Sequence, residues 1–222
     1  MGDERGFRES LRFALVLIAL ITVPASVGLV LCAEPIFSLF FMQGAFSFAH
    51  VQQTALALAA YAPGLFFVGL SRVVVPAFYA RNDTRTPVRI SFWTLLVNLG
   101  LGLALMGPLG HIGLALALTL ASVFNGLLLL WILRRRLGPL GLGSVLWALA
   151  KIIPSAAGMG GVTWLLLRLA PWQADGLFWQ KGAVLLGAIA AGLLVYLGCC
   201  YLFKVPYSDQ AAELLKKKIL RR

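Results

Sequence analysis

Basic side chains around one hinge in the chain offer the clearest chemistry in this sequence. In the stretch SRVVVPAFYARNDTRTPVR, residues 71–89, Arg72 lies inside apolar sequence, well before the hinge itself. Four more charged residues crowd the short hinge: Arg81, Asp83, Arg85 and Arg89. Aromatic residues favour the headgroup level, and Lys and Arg are retained in short cytoplasmic loops, so this pattern is typical of the cytoplasmic side of a membrane helix hairpin.

Arg72 has two possible roles. It stands about nine positions before the hinge, which is about 13 Å along a helix. Holding a charge inside a membrane costs roughly 3 kcal/mol or more, so a residue of this kind indicates a function by default. Alternatively, the long side chain reaches back to the headgroups and only anchors its helix. The sequence leaves both roles open.

Two asparagines, Asn98 and Asn125, also lie within apolar segments. Amide side chains at such positions typically form hydrogen bonds between neighbouring membrane helices. The alternative is that they line a polar cavity together with Arg72.

Catalysis needs groups that this sequence does not place together. The only histidines, His50 and His111, fall at predicted outer loops, and no acidic residue lies deep in a helix. Residues 69–73, GLSRV, resemble a nucleophile elbow but lack its final glycine and partner residues. The three cysteines have neither zinc-site spacing nor an even count. We therefore predict no enzyme activity, no catalytic residue, no metal site and no cofactor.

The composition is that of an integral membrane protein. Hydrophobic residues make up 60% of the chain and charged residues 12%, and the mean hydropathy is +0.90, whereas a soluble domain is about half apolar and a quarter charged. The formal charge of +11 raises the possibility of nucleic-acid binding. The basic residues gather at the ends of apolar segments instead of forming one face, so we expect no nucleic-acid partner.

The apolar segments predict an all-α protein with six transmembrane helices. We place them at about 11–31, 49–80, 87–106, 112–133, 145–169 and 183–203. Pro24 and Gly28 should kink the first helix. Glu34-Pro35 and a short apolar stretch, 36–41, follow that helix. The second is long and contains Pro63 and Pro76, so it should be one bent and tilted helix.

The distribution of basic residues predicts the orientation. With alternate loops assigned to opposite sides, 17 of the 19 basic residues lie inside, and Arg168 and Lys181 lie outside. Lys and Arg are retained in short cytoplasmic loops. Both termini should therefore be cytoplasmic.

Four regions follow from the same pattern. Residues 1–137 hold four helices, residues 138–143 form a flexible glycine-proline linker, and residues 144–205 hold a further helix pair. In the last helix, small residues should allow close contact with a neighbour: Ala183, Gly187, Ala188 and Gly192. Residues 206–222 form a basic amphipathic tail that fits an anionic membrane surface.

Three stretches carry a resemblance to a known family. They are PASVGLVLCAEPIFSLFFMQGAF, RVVVPAFYARNDTRTPVRIS and GHIGLALALTLASVFNGLLLLWIL, in this order and spacing. They resemble the C-terminal part of the bacterial lipid II flippases called MurJ or MviN, and the resemblance covers nearly the whole chain. The element FYARNDTRTP is the most diagnostic part.

The resemblance implies a fold and a function. The fold has fourteen helices, in two six-helix lobes and a C-terminal pair, in the multidrug/oligosaccharidyl-lipid/polysaccharide exporter superfamily, and this chain resembles the last six. The function would be alternating-access transport of a lipid-linked peptidoglycan precursor across the bacterial inner membrane, with the sugar-pyrophosphate head in a cationic cavity and the polyprenyl tail in lipid. The partners would be that precursor, membrane lipids and the missing N-terminal helices, in the same or a separate chain.

The resemblance also assigns roles to the residues singled out above. Arg72, Asn98 and Asn125 become candidates for the substrate cavity. The hinge residues Arg81, Asp83, Arg85 and Arg89 become candidates for a cytoplasmic gate. Two alternatives stay open: an exporter of other polysaccharides or drugs in the same superfamily, since a fold does not name a substrate, and a truncated membrane subunit that does not transport.

Overall fold

The structure is all-helical throughout its described part. The computed structural model describes residues 4–42, 47–138, 140–174 and 177–205. Its helices are α1 (Glu4–Phe41), α2 (Phe48–Tyr61), α3 (Gly64–Tyr79), α4 (Arg85–Leu109), α5 (His111–Leu137), α6 (Leu142–Leu167) and α7 (Phe178–Leu202). Six helical segments, with α2 and α3 counted as one, are long and apolar enough to cross a membrane. The prediction of an all-α membrane protein with six spans is therefore confirmed.

Helix α1 is continuous over 38 residues and contains both Pro24 and Pro35. The predicted end of this helix near Leu31 was wrong. A break in the bilayer would leave backbone groups without partners, so a helix that passes through its prolines is the better solution where neighbouring helices support it. At 1.5 Å per residue, α1 is about 57 Å long, and it packs against α2, α3, α6 and α7.

The second span is interrupted at Pro63 in its hydrogen bonding. Helix α2 ends at Tyr61 and α3 begins at Gly64, while Ala62 and Pro63 between them keep right-handed helical dihedral angles. Two hydroxyls from other helices bond the carbonyls at the break: Ser26 Oγ donates to Ala62 O and Thr119 Oγ1 to Ala60 O, both at 2.7 Å. Proline removes a donor from the helical ladder, and these hydroxyls let the chain separate into two helices within the bilayer.

Two ends of the bundle are defined by contacts between distant residues. At the hinge end, which holds the start of α1, the α3–α4 turn and the end of α5, Arg8 Nη2 donates to Leu137 O and Arg12 Nε to Leu140 O, both at 2.8 Å. Helix α1 is thus bonded to the last residue of α5, Leu137, and to Leu140 within the predicted flexible linker. Helix α6 begins at Leu142, inside the range predicted for that linker.

At the opposite end, the loop end, a buried lysine joins α7 to α1. Lys181 is 1% exposed, and its Nζ donates to Ser38 Oγ at 3.0 Å, to Trp172 O at 3.3 Å and to Ala174 O at 2.6 Å. Ser38 Oγ in turn donates to Trp172 O. Lys181 therefore packs inside the protein, although the sequence placed it in a solvent-facing loop.

Helices α6 and α7 pack closely through a different set of small residues from the one expected. Ala188 and Gly192 are buried, and a side chain at Gly192 would overlap Thr163 of α6. Ala183 and Gly187 are exposed. Of the four small residues predicted to contact a neighbouring helix, only Ala188 and Gly192 therefore do so. The contacting face continues through Tyr196, whose hydroxyl donates to Leu20 O of α1 at 2.7 Å.

Candidate functional site

A mainly apolar groove that contains several polar side chains opens on the surface of α3 and α5. It has a volume of about 380 Å³, and its polar lining consists of Ser71, Arg72, Ser122 and Asn125. Arg72 is exposed and forms no hydrogen bond or ion pair with any described residue. The groove therefore combines an unpaired cation with hydroxyl and amide groups, a combination suited to an anionic ligand.

Asn125 connects three helices at the wall of this groove. Its Nδ2 donates to Ser71 Oγ of α3 at 3.2 Å, and its Oδ1 accepts from Thr94 Oγ1 of α4 at 3.3 Å. These are the interhelical hydrogen bonds expected of an asparagine in a membrane helix. Because its amide is used in this way, Asn125 holds the groove in shape and also lines it.

Asn98 lies elsewhere. It is half-buried on α4, one turn beyond Thr94, and is not among the residues that line the groove. Within the described part of the chain its side chain forms no hydrogen bond. The structure therefore brings Arg72 and Asn125 together, but not Asn98.

The hinge turns sharply between α3 and α4. Asn82 has a φ of 58°, a left-handed conformation that asparagine tolerates better than most residues. Asp83 N then donates to Phe78 O at 3.1 Å. This turn directs the Asp83 carboxylate at the first turn of α4, where Oδ1 accepts from Thr86 N at 3.0 Å.

Arg136 is the partner of Asp83, and sequence reasoning missed it. Its guanidinium bonds Asp83 Oδ2 and donates to Thr86 Oγ1 at 2.9 Å, and it lies 5.8 Å from the centroid of the Phe78 ring. Arg134, Arg135 and Arg136 all lie in the last turn of α5, but no local pattern shows which of them faces the hinge.

The environment of Asp83 favours its charged form. Hydrogen bonds from the Thr86 side chain and backbone, followed by the neighbouring Arg136 charge, hold the pKa of Asp83 below its ordinary value. The carboxylate is therefore ionised at neutral pH and pairs with Arg136.

The other hinge arginines are available to other partners. Arg81, Arg85 and Arg89 are exposed, and none of their side chains bonds another described residue. Of the four predicted gate residues, the structure places only Asp83 in a defined network. The three arginines form an unpaired basic surface beside it.

Known proteins resemble this chain over most of its length. Residues 1–181 match a family model described as Lipid II flippase MurJ. A probable lipid II flippase MurJ of Vibrio cholerae is 30% identical over 212 residues, covering 93% of this chain and 39% of the relative. Similar proteins of Synechocystis and Bdellovibrio bacteriovorus are 31% and 29% identical, cover 95% and 94% of this chain, and each match spans 40% of the relative. The chain thus spans about two fifths of the length of these relatives.

Proposed function

The chain belongs to the lipid II flippase MurJ family, and on that premise we propose that its six spans form part of a flippase for a lipid-linked peptidoglycan precursor. The substrate would cross the membrane by alternating access. This makes the protein a transporter rather than an enzyme. An exporter of other polysaccharides or drugs is not favoured, because the family model and the relatives cited are all lipid II flippases by name.

Arg72 is the observation that supports this proposal best. It lies in a membrane-spanning segment, yet its guanidinium has no partner among the described residues and faces a groove with Ser122 and Asn125. Keeping an unpaired charge at such a site is costly. A pyrophosphate is the anion that would compensate this charge, and a guanidinium can hold it through two parallel hydrogen bonds.

The hinge would act as the gate on the cytoplasmic side. Asp83 and Arg136 couple the α3–α4 turn to the end of α5, whereas Arg81, Arg85 and Arg89 remain unpaired within the described residues. In this proposal the three arginines meet acidic or anionic groups when the gate closes.

The remaining helices of the flippase, in the same or a separate chain, would complete the cavity. Helix α4 packs mainly on α5, and its other sides expose large apolar residues, including Phe92, Leu95, Leu99 and Leu103. We place the partner helices against that surface. Residues 1–137 would belong to one transporter lobe, residues 138–143 would link it to the pair in 144–205, and the tail 206–222, which lies outside the described residues, would rest on the membrane.

The same proposal gives the location and orientation. The protein would lie in the bacterial inner membrane with both termini in the cytoplasm. The hinge end would then face the cytoplasm, and the loop end would face outward.

Substitution of Arg72 tests the proposed function. In the flippase assembled with its remaining helices and reconstituted in vesicles, Arg72→Lys should keep part of the transport of lipid II, because an ammonium still supplies a charge. Arg72→Gln should abolish transport while the protein stays at its normal level in the membrane. Arg5→Gln, which removes an exposed charge at the start of α1, is the matched control and should transport normally.

Normal transport by Arg72→Gln would contradict this assignment. It would show that Arg72 only anchors α3 at the headgroups and would remove it from the cavity.

A further inference from the structure

A second and larger groove lies on the other side of α1 from α7, between α1, α3 and α6. Its volume is about 740 Å³, and apolar side chains such as Val27, Phe66 and Ile153 line it. The hydroxyl of Ser26, which also lines it, is already bonded to Ala62 O. The groove therefore suits a hydrocarbon chain.

The groove is long enough to take a whole chain from one membrane leaflet. Its lining on α6 runs from Leu149 to Trp164, which is about 22 Å at 1.5 Å per residue. One leaflet contributes about 15 Å of hydrocarbon. A chain that enters at the Trp164 end can lie in the groove over its full length.

A cation stands at that end of the groove. Arg168 follows the last residue of α6 and is exposed, and its guanidinium lies 3.6 Å from the centroid of the Trp164 ring. The Arg168 side chain forms no hydrogen bond or ion pair with any described residue. Tryptophan rings favour the headgroup level of a membrane, so the stacking holds the Arg168 charge where lipid phosphates lie.

We propose that this groove and Arg168 together bind an anionic phospholipid, with one acyl chain along α6 and the phosphate on Arg168. The guanidinium supplies two parallel hydrogen bonds to the phosphate. The bound lipid fills the gap between α6 and α3, which both pack extensively against α1 but not against each other. It thereby becomes part of the contact that joins the α6–α7 pair to the other helices.

The groove between α1 and α7 lacks this combination. It has a volume of about 480 Å³ and is lined almost wholly by apolar groups, and the hydroxyl of Tyr196 in its wall is bonded to Leu20 O. The cation at the loop end of α7, Lys181, is buried against Ser38 and two backbone carbonyls. A lipid headgroup has no exposed basic partner there among the described residues.

Photo-crosslinking of the full chain in phosphatidylcholine vesicles tests the site. Two probes carry the same diazirine-labelled acyl chain, one on phosphatidylglycerol and one on phosphatidylcholine, and mass spectrometry locates the products. We expect the anionic probe to label α6 around residues 153–161 about fivefold more than the neutral probe, the preference that one basic residue gives at a membrane surface.

Two pairs of variants separate the chain from the headgroup. Gly161→Leu places a side chain in the groove at a position where a Cβ atom meets open space, and it should reduce labelling of this segment by both probes at least threefold. Gly187→Leu, at a position on α7 where a Cβ atom also meets open space, should leave this labelling unchanged. Arg168→Gln should lower labelling by phosphatidylglycerol to the level of phosphatidylcholine. Arg5→Gln should leave the fivefold preference intact.

Three results would overturn the proposal. Equal labelling by both probes in the unaltered chain would mean that no headgroup site exists. This comparison does not depend on the folding of any variant. Unchanged labelling in Gly161→Leu would place the lipid elsewhere. Displacement of the anionic probe by undecaprenyl phosphate at a lower mole fraction than by unlabelled phosphatidylglycerol would assign the groove to a prenyl chain instead.

Discussion

Asp83, in the turn before α4, pairs with Arg136 in the last turn of α5, 53 residues further along the chain. The same guanidinium also bonds Thr86 Oγ1, so one arginine contacts both the turn and the helix that it starts. If α4 moves relative to α5 at the hinge end, the bonds from Arg136 to Asp83 and Thr86 must either break or move with both helices. It is therefore the natural place to test whether the hinge moves during transport.

Removal of the Asp83 carboxylate should loosen the start of α4. Because Thr86 N donates to Asp83 Oδ1, Asp83→Ala leaves this amide without its acceptor, and its hydrogen exchange should become severalfold faster. Arg136→Gln should have a smaller effect in the same direction. Arg135→Gln is the control, since Arg135 stacks on Trp131 at 4.1 Å instead; equal exchange in all three variants would mean that the network does not hold the turn.

The turn before α4 should become less stable as the pH falls through the pKa of Asp83. The pKa of Asp83 is lowered from its ordinary value of 3.8, so its contribution is complete above that pH and is lost as the pH falls further, through the lowered pKa. Carbon-13 NMR titration of the aspartate carboxyl groups, assigned with Asp83→Asn, measures this pKa. Thr86→Val should raise it more than Arg136→Gln does, because Thr86 is the larger cause; the opposite order would show that the ion pair dominates.

The two hydroxyls at the α2–α3 break should each contribute modestly to stability. Hydrogen bonds of this kind in membrane proteins are worth about 0.6 kcal/mol on average, so Ser26→Ala and Thr119→Val should each lower the free energy of unfolding by about that amount. Thr54→Val is the control, because Thr54 Oγ1 bonds only His50 O within its own helix. Unfolding in mixed micelles gives the values, and a loss no greater than that of the control would mean that the break stands without these bonds.

The proposed orientation can be tested with single cysteines in a chain whose native cysteines are replaced. An impermeant thiol reagent added outside should label a cysteine at Ser47, which is exposed at the loop end, and not one at Thr84, exposed at the hinge end. The expectation follows from the retention of basic residues on the cytoplasmic side. Labelling of Thr84→Cys alone would invert the topology.

The sequence predicted those features that depend on neighbouring residues. Continuous apolar length was enough for the six spans, and the turn residues around Asn82 were enough for the hinge. For the spans and the hinge, the residue types within a few positions determine the outcome. Interhelical hydrogen bonds were expected of both Asn98 and Asn125, but within the described residues only Asn125 forms them, and its partner Ser71 lies 54 residues away.

Features that depend on distant partners could not be predicted. Ser26 and Thr119 lie 36 and 59 residues from the carbonyls that they bond, so nothing around Pro63 shows how the carbonyls at this interruption are satisfied. Lys181 looked like an ordinary loop cation, because its burial depends on Ser38, 143 residues away. Small side chains on α7 showed that a close contact was possible, but only the position of Thr163 determines which of them makes it.

The contacts that α1 makes at the hinge end also limit how the chain can assemble during synthesis. Arg8 and Arg12 bond carbonyls that lie 129 and 128 residues later. At 5–20 residues per second, a ribosome needs about 6 to 26 seconds to make that length. Until that length has been made, these two guanidiniums lack their final acceptors, so lipid headgroups and water must solvate them. Helix α1 is thus synthesised before α5, and its hinge end reaches its final environment only after α5 has been made.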